Sequence, residues 1–156
     1  MRCLPSTLLL VCALAACSAS SAPTPARTLD MTSAVSRATV GGAVLQAQSV
    51  PLSALNPATA RQYRIDNTQD GVLLLITLRD ANGDALAPAD LQLTATASVL
   101  PDPPAALPLR AIQTGGMTDY IGVLQVRAPA SVAFRLTATR GGDRNAMAMT
   151  MDLQPR

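Results

Sequence analysis

The segment Leu91-Gln92-Leu93-Thr94-Ala95-Thr96-Ala97-Ser98-Val99 alternates apolar and small polar residues with a period of two. In an extended chain successive side chains point to opposite faces, so the Leu, Ala and Val residues share one face and the Gln, Thr and Ser residues the other. The same pattern recurs in Val132, Phe134, Leu136 and Ala138, and again in Met147, Met149, Met151 and Leu153. Alternation of this kind predicts strands that bury one face in a core.

Residues 72–78, Val-Leu-Leu-Leu-Ile-Thr-Leu, are apolar on both faces, which predicts a central strand covered from two sides. Turn signals separate the apolar runs at residues 80–84, 115–116 and 141–143. Asn56 and Pro57 suit the N-cap and the first position of a helix of about two turns. With weaker strands at 43–50, 107–113 and 120–127, the sequence predicts an immunoglobulin-like antiparallel β-sandwich of about seven strands with one short helix.

The charged residues are of two types only: every cation is Arg and every anion is Asp, and His, Lys and Glu are absent. General bases and activators of nucleophiles are most often His, Glu or Lys, so this composition indicates that the protein is not an enzyme. Cys3, Cys12 and Cys17 all lie near the amino terminus, which leaves the rest of the chain without the imidazole and thiolate ligands of common zinc and haem sites. We therefore expect no cofactor.

The net charge of +2 is interspersed along the chain, and the only aromatic residues are two Tyr and one Phe. Proteins that bind nucleic acid usually carry a basic run or patch together with aromatic stacking partners. Nucleic acid is therefore not an expected partner.

The amino-terminal segment contains Arg2, an apolar run over residues 8–16 and the tetrapeptide Leu14-Ala15-Ala16-Cys17. A basic start, a short apolar run and small residues before a cleavage point are features of a signal peptide, and the run is too short for a permanent membrane span. The spacing resembles the lipobox of bacterial lipoproteins. That resemblance implies a diacylglyceryl group on Cys17, cleavage before Cys17, and acylation of the new amino terminus with a chain such as palmitate. By the same resemblance, Ser18 favours an outer-membrane lipoprotein that faces the periplasm.

These features divide the chain into a signal peptide (1–16), a lipidated Cys with a flexible tether (17–28) and a β-sandwich domain (29–156). The tether consists of small, polar and Pro residues, which cannot build a core. In polyproline-like conformation it would hold the domain about 30 Å from the membrane surface.

The thioethers of Met147, Met149 and Met151 lie at two-residue spacing on one predicted strand face. Soft sulfur ligands of this kind select Cu(I), and Met31 or Met117 could add another ligand. The other interpretation is that the three side chains continue the core-facing alternation and fill a core that is short of aromatic residues. Copper carriage is therefore the alternative function.

Three further groups of polar residues have both a structural and a functional interpretation. Arg110, Arg127, Arg135 and Arg140 are either a stripe for an anionic partner or a solvated strand face. Asp119 could serve as an acid only if burial raised its pKa strongly. Residues 80–84 carry oxygen ligands at the spacing that begins a calcium loop, but Ala85 and Leu91 replace the Gly and Glu that an EF-hand requires, so a hairpin turn is favoured.

The order of elements resembles an uncharacterised family of small exported bacterial proteins that is known only as a domain of unknown function. The resemblance rests on the strand at 43–50, the helix after Asn56-Pro57, the apolar strand at 71–79 that ends in Asp80, and the last three strands. It spans residues 40–153 and implies no catalytic residue. We therefore predict a non-catalytic lipoprotein that is held at the membrane by its lipid and binds another protein of the envelope.

Overall fold

The computed structural model describes residues 35–155, which form nine strands and two short helical segments. The strands are β1 (Val35–Val40), β2 (Ala43–Pro51), β3 (Gly71–Arg79), β4 (Gln92–Val99), β5 (Ala105–Leu107), β6 (Arg110–Thr114), β7 (Met117–Gln125), β8 (Ala130–Arg140) and β9 (Asp143–Leu153). A 3₁₀ turn (Leu52–Ala54) and the helix α1 (Pro57–Tyr63) lie between β2 and β3.

The nine strands form two sheets in which all neighbours are antiparallel. Sheet A has the order β1-β2-β3-β7-β6, and sheet B has the order β5-β4-β8-β9. The chain crosses between the sheets after β3, β5 and β7. This arrangement confirms the predicted antiparallel β-sandwich with one short α-helix.

Strand β3 is buried on both faces, as its continuous apolar sequence predicts. Val72, Leu74, Ile76 and Leu78 point between the two sheets and belong to the main core. Leu73 points the other way and packs with Leu52, Ile112 and Ile121 in a second, smaller cluster, which Leu55, Tyr63, Ile65 and Leu75 border. The segment that contains the 3₁₀ turn and α1 therefore covers the part of the outer face of sheet A around Leu73.

Sheet B contributes one alternating face of each long strand to the main core. Phe134 of β8 is 2% exposed and is paired across the sheet with Ala97 of β4 and Met149 of β9. Burial of an aliphatic or aromatic side chain of this size contributes about 1.5–3 kcal/mol relative to leaving it in water. The register keeps the predicted apolar faces of β4, β8 and β9 together.

Helix α1 begins where the sequence predicts. The Asn56 side chain accepts a hydrogen bond from the Ala58 backbone N–H at 2.8 Å, and Pro57 occupies the first helical position. The helix ends at Arg64, which adopts a left-handed conformation with φ of 53°.

Strand β1 is absent from the sequence prediction. It pairs with β2 through a two-residue loop, Gly41-Gly42, whose φ angles are 50° and 75°. Gly115-Gly116 and Gly141-Gly142 close two other hairpins in the same way, because a tight turn with positive φ at both positions suits the twist of the strands. The dipeptide before Ala43 is therefore the signal that would have revealed β1.

The single strand predicted at 107–113 is wrong in its extent, because the chain divides there into β5 and β6. Pro108 has no backbone N–H and interrupts the pairing, so β5 stays in sheet B and β6 begins in sheet A. Gly122 of β7 makes room for this crossing, because a Cβ atom at position 122 would lie 2.9 Å from Leu107 Cδ2 and 3.1 Å from Leu109 Cδ2.

One side of the sandwich is joined by side-chain hydrogen bonds between its edge strands and their turns. The Asn145 side chain of β9 donates to the Thr39 carbonyl of β1 at 3.0 Å. Arg140 donates to the Gly41 carbonyl, also at 3.0 Å, and so joins the two hairpin turns. Along residues 35–155, no helix combines the length and the apolar character that crossing a membrane requires.

Ser49 and Ser98 are both buried but differ in hydrogen bonding, which gives a matched test of the core. Among the described residues Ser49 Oγ has no hydrogen-bond partner, whereas Ser98 Oγ donates to the Asp102 carbonyl. We expect Ser49→Ala to raise the free energy of unfolding by about 1 kcal/mol and Ser98→Ala to lower it by a similar amount. Urea unfolding followed by circular dichroism measures both changes, and a loss of stability in Ser49→Ala would contradict the placement of its hydroxyl.

Candidate functional site

The predicted lipidation site, Cys17, and the lipobox residues Leu14, Ala15 and Ala16 lie outside the described residues. The same holds for the predicted signal peptide (1–16) and tether (17–28). Lipid attachment stays a prediction from the sequence.

The three methionines of the copper hypothesis face the core. Met147, Met149 and Met151 are 6%, 9% and 4% exposed and belong to the main apolar cluster. They lie opposite Leu136, Phe134 and Val132 of β8. A copper ion would have to enter between the two sheets to reach these sulfur atoms.

The remaining candidate ligands do not extend the methionine group. Met31 lies outside the described residues, and Met117 lies in sheet A at the start of β7. Among the side chains that the structure describes, no three His, Cys, Asp or Glu residues are placed to hold a metal ion. Copper binding therefore stays a prediction.

Asp119 is buried on the outer face of sheet A, where its carboxylate pairs with Arg79. Its Oδ1 accepts a hydrogen bond from Arg79 Nη1 at 2.7 Å, and the side chain of Asp119 is 7% exposed. Arg79 Nη1 also donates to the Leu78 carbonyl. The neighbouring Tyr120 points to the opposite face, where burial raises the pKa of its hydroxyl. This geometry makes Asp119 one partner of an ion pair that joins β3 to β7.

The acidic segment at residues 80–84 forms a turn closed by its own carboxylate. Asp80 Oδ1 accepts hydrogen bonds from the backbone N–H groups of Asn82 at 2.8 Å and Asp84 at 2.9 Å. The Asp80 N–H donates to the Asp84 carbonyl at 3.0 Å. The spacing of the side-chain oxygen atoms in residues 80–84 is therefore explained by a hydrogen-bonded turn.

The four arginines considered as an anion-binding stripe lie on different parts of the sandwich. Arg110 lies at the start of β6 in sheet A, and Arg135 projects from the outer face of sheet B. Arg127 lies in the loop between β7 and β8, and Arg140 is bonded to Gly41. A stripe of these four side chains is therefore not formed.

Strand β6 is the exposed end of sheet A. Within residues 35–155, β6 pairs with β7 on one side and ends the sheet on the other. Arg110, Ala111 and Gln113 are exposed, whereas Ile112 is 8% exposed and packs in the second cluster. An edge strand presents backbone N–H and C=O groups on the side that lacks a neighbour.

Hairpin geometry identifies which backbone groups of β6 point outward. The two-residue loop Gly115-Gly116 joins Thr114 to β7 as a hydrogen-bonded pair. Hydrogen-bonded pairs recur at every second residue, so Ile112 also bonds to β7. The N–H and C=O groups of Ala111 and Gln113 then face away from the sheet, ready to accept another strand.

Three arginines lie in the segments that meet at one end of this edge, the start of β6 and the end of α1. The Arg110 guanidinium donates to the Tyr63 carbonyl, which brings it beside the last turn of α1. That turn carries Arg61, and Arg64 follows it directly; both are exposed. Within residues 35–155, none of these three guanidinium groups forms a salt bridge.

The acidic residue nearest in sequence to this arginine group is engaged within its own loop. Asp66 Oδ1 accepts from the Thr68 hydroxyl at 2.6 Å and the Thr68 backbone N–H at 3.0 Å, and Oδ2 accepts from Gln69 Nε2 at 2.9 Å. These bonds, led by the one from the Thr68 hydroxyl, lower the pKa of Asp66. The arginine group and the outward backbone of β6 are together named the β6 edge: Arg61, Arg64 and Arg110 to Gln113.

Residues 35–155 thus define a small antiparallel β-sandwich domain in which the β6 edge is exposed and flanked by arginines. A model of a domain of unknown function, DUF4426, matches residues 38–154. The chain belongs to the DUF4426 family, which confirms the resemblance expected from the order of its elements.

Two solved structures share the fold. A DUF4426 family protein from Pseudomonas aeruginosa PAO1 superposes with a TM-score of 0.60 at 11% identity, over 78% of this chain and 96% of that chain. FetP from uropathogenic E. coli strain F11 superposes with a TM-score of 0.51 at 8% identity, over 79% of this chain and 97% of that chain. A comparison with curated protein sequences gives no match.

Sequence reasoning did not identify the β6 edge, because an edge is a property of strand order. The pattern at 107–113 gives one weak strand, and nothing in it shows which strand is last in the sheet. The two available signals are Pro108, which breaks the pairing, and Gly115-Gly116, which fixes the hairpin to β7.

Proline substitution tests the direction of the backbone in β6. Ala111→Pro removes an N–H that points to solvent, so we expect a loss of about 1 kcal/mol or less. Ile112→Pro removes an N–H bonded to β7 and should cost about 3 kcal/mol or more beyond the cost of Ile112→Ala, which controls for the side chain. Thermal and urea unfolding measure both, and equal losses at 111 and 112 would show that the outward residues are wrongly assigned.

Proposed function

We propose that this protein is a non-catalytic, lipid-anchored module of the bacterial envelope that binds another envelope protein through the β6 edge. The partner contributes an extended segment that continues sheet A beyond β6. This mode of recognition takes its affinity from main-chain hydrogen bonds.

The observation that best supports this proposal is that the two sides of the sandwich differ in how the backbone of their edge strands is hydrogen-bonded. On one side, Asn145 and Arg140 donate to carbonyls of β1 and its turn. On the other side, Ala111 and Gln113 turn their backbone groups outward from an exposed strand. An unpaired edge is a site for strand addition, and long unpaired edges lead to aggregation. The β6 edge is short and carries Arg110, so it is protected from self-association but open to a specific partner.

The composition supports binding over catalysis. The chain lacks His, Lys and Glu, and its buried acid, Asp119, is paired with Arg79. Strand addition requires none of the reactive side chains that are missing, because its donors and acceptors belong to the backbone.

A periplasmic location is supported by the export signal at residues 1–17. The fold likeness to FetP agrees with it, since that protein was expressed recombinantly in the periplasm. After cleavage before Cys17 the chain has no other cysteine, so its folding does not depend on disulfide formation in an oxidising compartment.

Membrane attachment would make a weak edge interaction effective. A lipid on Cys17 and a tether of about 30 Å confine the domain to a thin layer at the membrane surface. Confinement raises the effective concentration of a partner that is itself membrane-bound, often to the millimolar range for flexible linkers. A strand as short as β6, with five residues, can therefore be sufficient.

Replacing the acylated residue tests the anchor. We expect Cys17→Ser to shift the protein from the membrane fraction to the soluble or unprocessed fraction, because acylation requires the thiol. Fractionation with immunoblotting and metabolic labelling with a palmitate analogue measure the change, and Ser20→Ala is the matched control. Labelled Cys17→Ser protein in the membrane fraction would contradict the proposal.

Site-specific cross-linking in cells tests the edge. A photoreactive amino acid at position 113 should give one reproducible adduct with an envelope protein, and Ala111→Pro should reduce that adduct strongly. Position 150, exposed on the outer face of sheet B, is the control and should not give the same adduct. If the adduct forms equally from position 150, or persists in Ala111→Pro, binding does not use the β6 edge.

A further inference from the structure

The charge around the β6 edge restricts the kind of segment that it can accept. The Arg110 guanidinium lies beside the Tyr63 carbonyl, and the exposed residues Arg61 and Arg64 flank Tyr63 in the chain, so three cationic residues lie near the end where β6 begins. The bond to the Tyr63 carbonyl occupies one donor of Arg110, and a guanidinium has five. Asp66, the closest acid in sequence, accepts bonds on both oxygens from its own loop.

We propose that the segment recognised by the β6 edge is an acidic extended peptide. It would run antiparallel to β6 and carry its carboxylates near its carboxyl-terminal end. This inference rests on the proposed function, because it describes the partner of the same edge.

The direction follows from the sheet and from the position of the arginines. Every neighbouring pair in sheet A is antiparallel, and antiparallel pairing is the more stable arrangement per residue. A strand added antiparallel to β6 first passes Gln113, then Ala111, and reaches Arg110 at its own carboxyl-terminal end. The carboxylates of the added segment would therefore lie beside the arginine group.

The residues that an added strand would pass offer it few side-chain contacts. Ala111 supplies only a methyl group, and the adjacent Gly115-Gly116 loop supplies no side chain. These small residues allow the backbone of an added strand to approach closely but offer little apolar area. Specificity then comes from the guanidinium groups, which pair with carboxylates in a fixed geometry.

Two synthetic peptides with amidated carboxyl ends test the inference on the full chain purified in mild detergent. Both have eight residues that alternate Val and Thr, and they end either in two Asp or in two Lys. Nitrogen-15 NMR titration gives the affinities, and amide hydrogen exchange reports protection at Ala111 and Gln113. We expect the acidic peptide to slow exchange at both amides and to bind about fivefold more tightly than the basic peptide at low salt.

Charge variants identify the residues responsible. Arg110→Gln and Arg64→Gln should each reduce the difference between the two peptides about twofold, and high salt should reduce it further. Arg135→Gln, on the opposite sheet, is the matched control and should leave the difference unchanged. Arg110→Gln also removes the bond to the Tyr63 carbonyl and could loosen α1. Arg64→Gln leaves that bond in place, so it tests the effect of charge by itself.

The outcomes separate this inference from the proposed function. Equal protection by both peptides would retain edge binding but overturn the acidic preference. No protection at Ala111 and Gln113 with either peptide, up to about 1 mM, would overturn both, because millimolar affinity is the weakest that confinement can use. Protection that depends on protein concentration alone would show that a second copy of the chain occupies the edge, and would also overturn the inference.

Discussion

The two-sided burial of β3 is the constraint on which the rest of the fold depends. Val72, Leu74, Ile76 and Leu78 require sheet B on one side, and Leu73 requires the segment from Leu52 to Ile65 on the other. A chain with one Phe and two Tyr obtains its apolar area from many aliphatic side chains, so both coverings contribute to stability. Because α1 lies over the outer face of sheet A, its last turn is also placed against Arg110. The position of the arginine group is thus a consequence of how β3 is covered.

The sequence predicts the faces of the strands well but not their order. Alternation in β4, β8 and β9 reflects burial against a single core, which is a local property of each strand. By contrast, β1 was missed because its one core-facing side carries the small Ala38 beside Val40, so alternation there is weak. The switch of sheets at Pro108 was missed because a break in pairing does not show where the chain goes next. The candidate site depends on that order, so sequence reasoning could name edge binding as a mode but could not assign it to β6.

The edge strands on the two sides of the sandwich differ in how their unpaired backbone groups are bonded. Between β1 and β9, the Asn145 side chain satisfies the Thr39 carbonyl, which a neighbouring strand would otherwise bond, and Arg140 satisfies the Gly41 carbonyl in the turn after β1. Between β5 and β6 the chain itself passes from one sheet to the other, and Gly122 permits the close packing of Leu107 and Leu109. This covalent crossing joins the sheets without covering the far side of β6. An exposed edge is therefore built into the path of the chain.

A protein composed in this way has few sources of binding energy. It has little aromatic surface, Met147, Met149 and Met151 are buried, and its thiols are confined to the amino terminus. At the β6 edge, the groups open to a partner are outward backbone groups and exposed arginine side chains. Main-chain hydrogen bonds are the same for every sequence, so they supply affinity without discrimination, whereas guanidinium groups discriminate by charge but contribute little each when exposed. The recognition that we propose would then combine a short row of backbone bonds with a few ion pairs. Such a complex would have modest affinity and a strong dependence on salt, and anchoring of both partners to one membrane would favour its formation.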